Sequence, residues 1–302
     1  MTGFTILDGG MGRELKRIGA PFRQPEWSAL AMIEAPDMVQ AVHQAYIAAG
    51  AGVITTNSYA LVPFHIGEER FAAQGQALAE RAGAVARQAA DAAGRAVRVA
   101  GSLPPVCGSY RPDLYDAAEA RRLLAPLIAG LGGQIDLWLA ETLSATAEAE
   151  TIAAALAGDG RPLWLSFTLE DGAEDAAVHP RLRSGEGIDA AVRVALESKA
   201  EALLFNCSQP EVMRAAVLAA RAALDAAGAA QVPVGVYSNA FPPQDPDATA
   251  NETLLPIRAD LDPAGYLGWV GQWLDAGAGI VGGCCGIGPE HIAAIAQLQA
   301  DR

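Results

Sequence analysis

A closed (β/α)₈ TIM barrel, an α/β architecture, is the fold this 302-residue sequence predicts. Three observations carry the prediction. Short, nearly continuous apolar runs with β-branched centres fit strands buried on both faces of a parallel sheet. Ala-rich stretches with helical spacing separate them, and strict alternation of the two builds βαβ units. The alternation occurs eight times, the number that closes a barrel. An open doubly wound sheet is the alternative. Its Gly-x-Gly-x-x-Gly turn after the first strand is missing, because Gly9-Gly10-Met11-Gly12 has a different spacing.

The elements follow in order. The first strand is Phe4–Asp8 (FTILD). A helix over Ala35–Ala49 opens on Pro36-Asp37 and stops at Gly50 and Gly52, with Pro in the first turn and Gly past the last. The second strand, Gly52–Asn57 (GVITTN), precedes a long helix, Glu68–Ala93, which Gly94 ends. Strand three is Val97–Ser102, helix three Asp116–Leu131, strand four Asp136–Glu141 and helix four Ser144–Leu156, with Gly158 as its stop. Strand five is Pro162–Thr168, helix five Gly187–Ser198 and strand six Ala202–Cys207. Ser208 and Pro210-Glu211 open helix six, Pro210–Ala226, before strand seven, Val232–Asn239. Asp262-Pro263 opens helix seven, Pro263–Ala276, then come strand eight, Gly279–Gly283, and helix eight, Pro289–Leu298. Ala, Leu, Glu, Arg and Gln fill these helices and are strong helix formers. The irregular stretches are Leu103–Asp113 and Phe241–Asp262. No Pro-, Ser- or charge-rich linker interrupts the pattern, so residues 1–302 read as a single barrel domain.

Composition narrows the function. With 51% hydrophobic residues the chain can bury a large core, which excludes a disordered protein. A formal net charge of −14 repels phosphate backbones, so no nucleic-acid partner is expected. No apolar run is long enough for a membrane span, and the N-terminus lacks the basic and apolar regions of a signal peptide. Four cysteines, two of them adjacent, make no disulfide framework. The expected location is a reducing cytoplasm, where cysteine usage points to metal binding or catalysis.

A barrel's chemistry sits where its strands end. There the sequence places Asp8-Gly9-Gly10, Thr55-Thr56-Asn57-Ser58-Tyr59, Gly101-Ser102, Glu141-Thr142, Asn206-Cys207, Tyr237-Ser238-Asn239 and Gly282-Gly283-Cys284-Cys285-Gly286. Cys207, Cys284 and Cys285 therefore converge on one rim, with glycines that let two adjacent cysteines bend toward one ion. Three thiolates make a tetrahedral Zn²⁺ site with one open position. Cys107 reads as a loop cysteine outside the site; as a fourth ligand it would close the site and make it structural. Three thiolates leave zinc a weak Lewis acid, suited to ionising a substrate thiol rather than to activating water. His43 and His291 fall in helical patterns, His65 and His179 in loops, and no pair has zinc-ligand spacing.

These motifs, in this order, resemble the zinc-dependent homocysteine S-methyltransferases, over nearly the whole chain from Phe4 to Ala296. The resemblance implies methyl transfer to the thiol of L-homocysteine, forming methionine. It implies Cys207, Cys284 and Cys285 as zinc ligands and catalytic residues. Asp8 and Glu141 would hold the homocysteine ammonium group, with the backbone of Gly9, Gly10 and Met11 near its carboxylate. The chemistry agrees, since an amino acid needs an anionic partner and N–H donors. Asn57 and Tyr59 would line the methyl-donor side, as would Tyr237 and Asn239, and Trp27 could face a cationic donor through its ring. The donor expected is a sulfonium of the S-methylmethionine type. Betaine, a separate corrinoid protein, and a zinc-stabilised barrel without activity are the alternatives. Partners are small molecules, and the sequence leaves the oligomeric state open.

Overall fold

The computed structural model describes residues 3–173, 175–242 and 256–302. Among them eight parallel strands run β1 (Thr5–Ile6), β2 (Val53–Thr55), β3 (Arg98–Leu103), β4 (Leu137–Leu143), β5 (Leu163–Phe167), β6 (Ala202–Asn206), β7 (Val234–Tyr237) and β8 (Ala278–Val281). From β2 to β8 each strand pairs with the next in sequence, and β1 pairs with β8. The seam between β1 and β2 is closed by the Leu7–Val53 bridge, with Gly52 N–H donating to Ile6 O at 2.8 Å and Asp8 N–H to Val53 O at 3.1 Å. The expected TIM barrel is therefore the observed fold.

Burial on both strand faces explains the unbroken apolar runs. Leu137, Leu139, Trp164, Ala202 and Leu204 pack together inside the barrel. Their strand neighbours Trp138, Ala140, Leu165, Leu203 and Phe205 pack outward in a second cluster shared with the helices. The strand period of two carries the inward series of β4 from Leu137 and Leu139 to Glu141, at the mouth.

The helices are α1 (Met11–Arg17), α2 (Ser28–Glu34), α3 (Pro36–Ala49), α4 (Pro63–Ile66), α5 (Glu68–Asp91), α6 (Ala117–Leu131), α7 (Thr146–Ala155), α8 (Ile188–Glu197), α9 (Pro210–Ala226), α10 (Pro263–Asp275) and α11 (Pro289–Asp301). Caps fix several starts. Asp116 accepts from Ala118 N at 2.9 Å and Glu119 N at 2.8 Å, and Asp262 accepts from Gly265 N at 2.8 Å. Three helices, α1, α2 and α4, are additions to the sequence expectation; each has at most seven residues, too few for periodicity to register. Strand ends also differ. Strand seven contracts from Val232–Asn239 because Pro233 has no N–H and Asn239 N–H turns to Ser208 O, at 3.1 Å. Much of the expected irregular stretch Phe241–Asp262 lies outside the described residues. None of the described helices is long and apolar enough to cross a membrane.

Candidate active site

The loops after β1 and β8 lie against each other, and glycine permits the approach. A Cβ on Gly10 would stand 2.5 Å from Cys284 O and 2.9 Å from Cys285 Cα. Gly286, at φ 87°, turns the chain back after the paired cysteines. Gly10 N–H donates to Ile287 O at 3.0 Å and Gly283 N–H to Asp8 O at 3.0 Å, so Asp8 and the two cysteines share one wall.

Cys207 reaches the same point from the end of β6. The three sulfurs of Cys207, Cys284 and Cys285 all lie within 4.8 Å of one another, and Cys284 Sγ is 2.9 Å from Cys207 Sγ. Hydrogen bonding from Cys207, then from Cys284, holds the Cys285 thiol well below its ordinary value. Bonding to Cys207 and Cys285 pushes Cys284 well above it. Three thiols this close cannot all ionise without a cation, because each thiolate repels the others. A divalent ion with an affinity for sulfur meets that demand, so the donor set fits zinc. Among the described residues this is the one group placed to hold a metal. Cys107 stands apart, its Sγ 3.7 Å from Asp116 O.

Two buried carboxyls face the same cavity. Asp8 accepts from Thr55 N at 2.7 Å and Thr55 Oγ1 at 3.1 Å. Glu141 accepts from Ser102 Oγ, and from Tyr237 Oη at 3.3 Å. Burial pushes each up to about 7, and the charge on Glu141 adds to the rise at Asp8. Their hydrogen-bond donors only partly offset the lost water.

Ten of the residues the sequence proposed as ligands or substrate contacts line this cavity: Asp8, Gly9, Gly10, Met11, Asn57, Tyr59, Glu141, Cys207, Cys284 and Cys285. Trp27 and Tyr237 line it as well, whereas Asn239 does not; its Oδ1 accepts from Phe241 N at 3.1 Å. Asn57 also has structural work, donating to Ser28 O at 3.1 Å. Tyr110 and Thr142 line it too; the sequence puts Thr142 at the end of strand four and Tyr110 in the irregular stretch after strand three, and gives neither a role of its own. Backbone strain marks both. Among the described residues, five non-glycines have left-handed φ, and four of them, Trp27 (52°), Tyr110 (63°), Thr142 (60°) and Cys207 (52°), line the cavity. Such strain gathers at functional sites, and only the structure reveals it. The histidines stay outside. His43 is fully buried and burial lowers it to about 4, His65 Nδ1 lies 2.7 Å from Pro25 O, His291 Nδ1 accepts from Gly288 N at 3.1 Å, and His179 is exposed.

Fold and site together define a (β/α)₈-barrel enzyme with a three-cysteine mouth. The chain belongs to the homocysteine S-methyltransferase family, whose model matches residues 5–298. It is 29% identical to homocysteine S-methyltransferase 4 of Zea mays, over 98% of this chain and 89% of that protein. It is 27% identical to the selenocysteine Se-methyltransferase of Brassica oleracea var. italica, over 99% of this chain and 90% of the relative. The metallated form of the homocysteine methyltransferase MmuM from Escherichia coli superposes with a TM-score of 0.76 at 28% identity, covering 100% of this chain and 97% of that one.

Proposed function

We propose that this barrel transfers a methyl group from a sulfonium donor of the S-methylmethionine type to the thiol of L-homocysteine, forming methionine, with zinc held by Cys207, Cys284 and Cys285. The carrying observation is the clustering of three sulfurs within 4.8 Å beside two buried carboxyls. A zinc ion with three thiolate ligands supplies a site where a fourth thiol ionises at neutral pH while its sulfur stays nucleophilic.

The chain's own groups do the rest. Asp8 and Glu141 take the ammonium group of homocysteine, which restores to each carboxylate the charge partner that burial denies it. Gly10 N–H is committed to Ile287 O. Free backbone donors for the homocysteine carboxylate therefore come from Met11 and Gly12, in the first turn of α1. Trp27, Tyr59 and Tyr237 present ring surface to a cationic donor. The sulfonium loses its charge as the methyl leaves, so the cavity needs no anion for the departing thioether. No general base is required among the side chains. The four cysteines are free, which suits a reducing cytoplasm, and residues 1–302 act as one domain on small molecules.

A donor screen tests the reading. Purified enzyme with zinc and homocysteine is offered S-methylmethionine, S-adenosylmethionine, dimethylsulfoniopropionate or betaine, and methionine is quantified by mass spectrometry. Turnover with a sulfonium and none with betaine supports the proposal. Turnover only after a methylated corrinoid protein is added contradicts it.

A further inference from the structure

Beside the three cysteines stands a polar group that the proposed reaction does not use. Tyr110 lies in the loop between β3 and α6, and its hydroxyl donates to Cys207 Sγ at 3.0 Å. Its backbone is left-handed, at φ 63°. The turn at Gly108 and a 2.6 Å hydrogen bond between Ser109 and Tyr59 hold that loop inward. The guanidinium of Arg183, from the loop between β5 and α8, sits over the Tyr110 ring, with Cζ 4.9 Å from the centroid.

Arg183 is fixed in turn. It pairs with Asp171 at 3.0 Å, the two side chains being 10% and 0% exposed. Asp171 also accepts from Gln209 N at 3.1 Å, two residues beyond Cys207. The Arg183 Nε is buried with no hydrogen-bond partner among the described residues. A buried ion pair with one donor left over is a poor stabiliser compared with apolar packing. Its placement over a phenol that touches a cysteine ligand gives it another use.

We propose that Tyr110 is a positioning residue for Cys207, held and polarised by the Arg183–Asp171 pair; the proposal rests on reading the three cysteines as metal ligands. A cation above the ring draws electron density from it, which strengthens the phenolic O–H as a donor. A hydrogen bond to a ligand thiolate reduces the charge that sulfur gives to a metal. The bound ion then keeps enough acidity to ionise the acceptor thiol despite its three anionic ligands. The relay also joins the loops after β3, β5 and β6 at one sulfur.

The test uses full-length protein loaded with cobalt(II), whose sulfur-to-cobalt charge-transfer bands report the thiolates directly. Tyr110→Phe keeps the ring and its packing and removes only the hydroxyl. The expected result is unchanged metal stoichiometry, a charge-transfer band at longer wavelength, and turnover of the zinc enzyme lowered about tenfold, the scale of one hydrogen bond to a charged group. Arg183→Met should move the band in the same direction by less. If Tyr110→Phe fails to hold cobalt, the Arg183→Met spectrum decides: a longer-wavelength band supports the relay and an unshifted band overturns it. A Tyr110→Phe spectrum superimposable on wild type overturns the proposal while leaving the metal site standing. A wild type without thiolate-to-cobalt bands overturns both.

Discussion

Glu141→Gln separates substrate binding from metal binding. The replacement keeps the side chain's shape in the barrel. Its carbonyl still accepts from Ser102 Oγ, and its amide can donate to Tyr237 Oη, the two partners of the native carboxylate. What disappears is a buried charge that burial already pushes up to about 7. The fold should tolerate the change, and zinc should remain bound because Glu141 is not in the sulfur cluster. Homocysteine should suffer. A hydrogen bond to a charged group is worth roughly 1.5–3 kcal/mol, or about ten- to a hundredfold in affinity. Asp8 softens the loss: the charge on Glu141 helps to raise Asp8, so its removal leaves Asp8 more fully ionised. The lower half of that range is expected near neutral pH. The assay is calorimetric titration of wild type and variant with homocysteine and with 4-mercaptobutanoate, which lacks the amino group. The variant should bind homocysteine less tightly and 4-mercaptobutanoate nearly as well as wild type. Equal losses for both thiols would refute the assignment and give Glu141 to the barrel rim or to the donor.

Further tests address other groups. Alanine at any one of Cys207, Cys284 or Cys285 should reduce zinc from about one ion per chain to less than about a tenth after dialysis, whereas Cys107→Ala should keep it, as read by elemental analysis. Peroxide should inactivate the metal-free protein, because its thiols stand exposed to one another with Cys207 and Cys284 sulfurs 2.9 Å apart. Peptide mapping should find those two joined, and recovery of full activity on adding zinc alone would contradict this. Asp8 and Glu141 rise from ordinary values of 3.8 and 4.5 to about 7, so the folded state holds protons there that the unfolded state has released. Their stabilising contribution is complete below the unfolded values and is lost as pH climbs through about 7. The metal-free, ligand-free protein should therefore lose more melting temperature between about pH 5 and about pH 8 than its Asp8→Asn variant does. A larger loss in the variant would reverse the sign.

The sequence made the barrel legible because the strands are apolar on both faces and glycine or proline marks the start or the stop of several helices. The cysteines were legible for a related reason: Cys207 and the Cys284-Cys285 pair end strands six and eight, and parallel strands of one barrel end on one rim. Tyr110 was not legible. It lies in an irregular loop with no period, and its contact with Cys207 spans 97 residues and depends on a left-handed backbone. Asn239 failed in the opposite way. Proximity to a strand end suggested a lining role, but the chain turns at Ser238 and its side chain closes a local bond to Phe241. The α1, α2 and α4 helices were too short to show a hydrophobic face, although α1 carries Met11 and Gly12 to the cavity wall.

The central claim is that Cys207, Cys284 and Cys285 together hold zinc where the homocysteine thiol reaches it. X-ray absorption at the zinc edge, with and without homocysteine, tests this most directly. The account predicts three sulfur neighbours at about 2.3 Å in the free enzyme and a fourth at a similar distance when homocysteine is added. A zinc shell of four protein ligands that homocysteine leaves unchanged would contradict it.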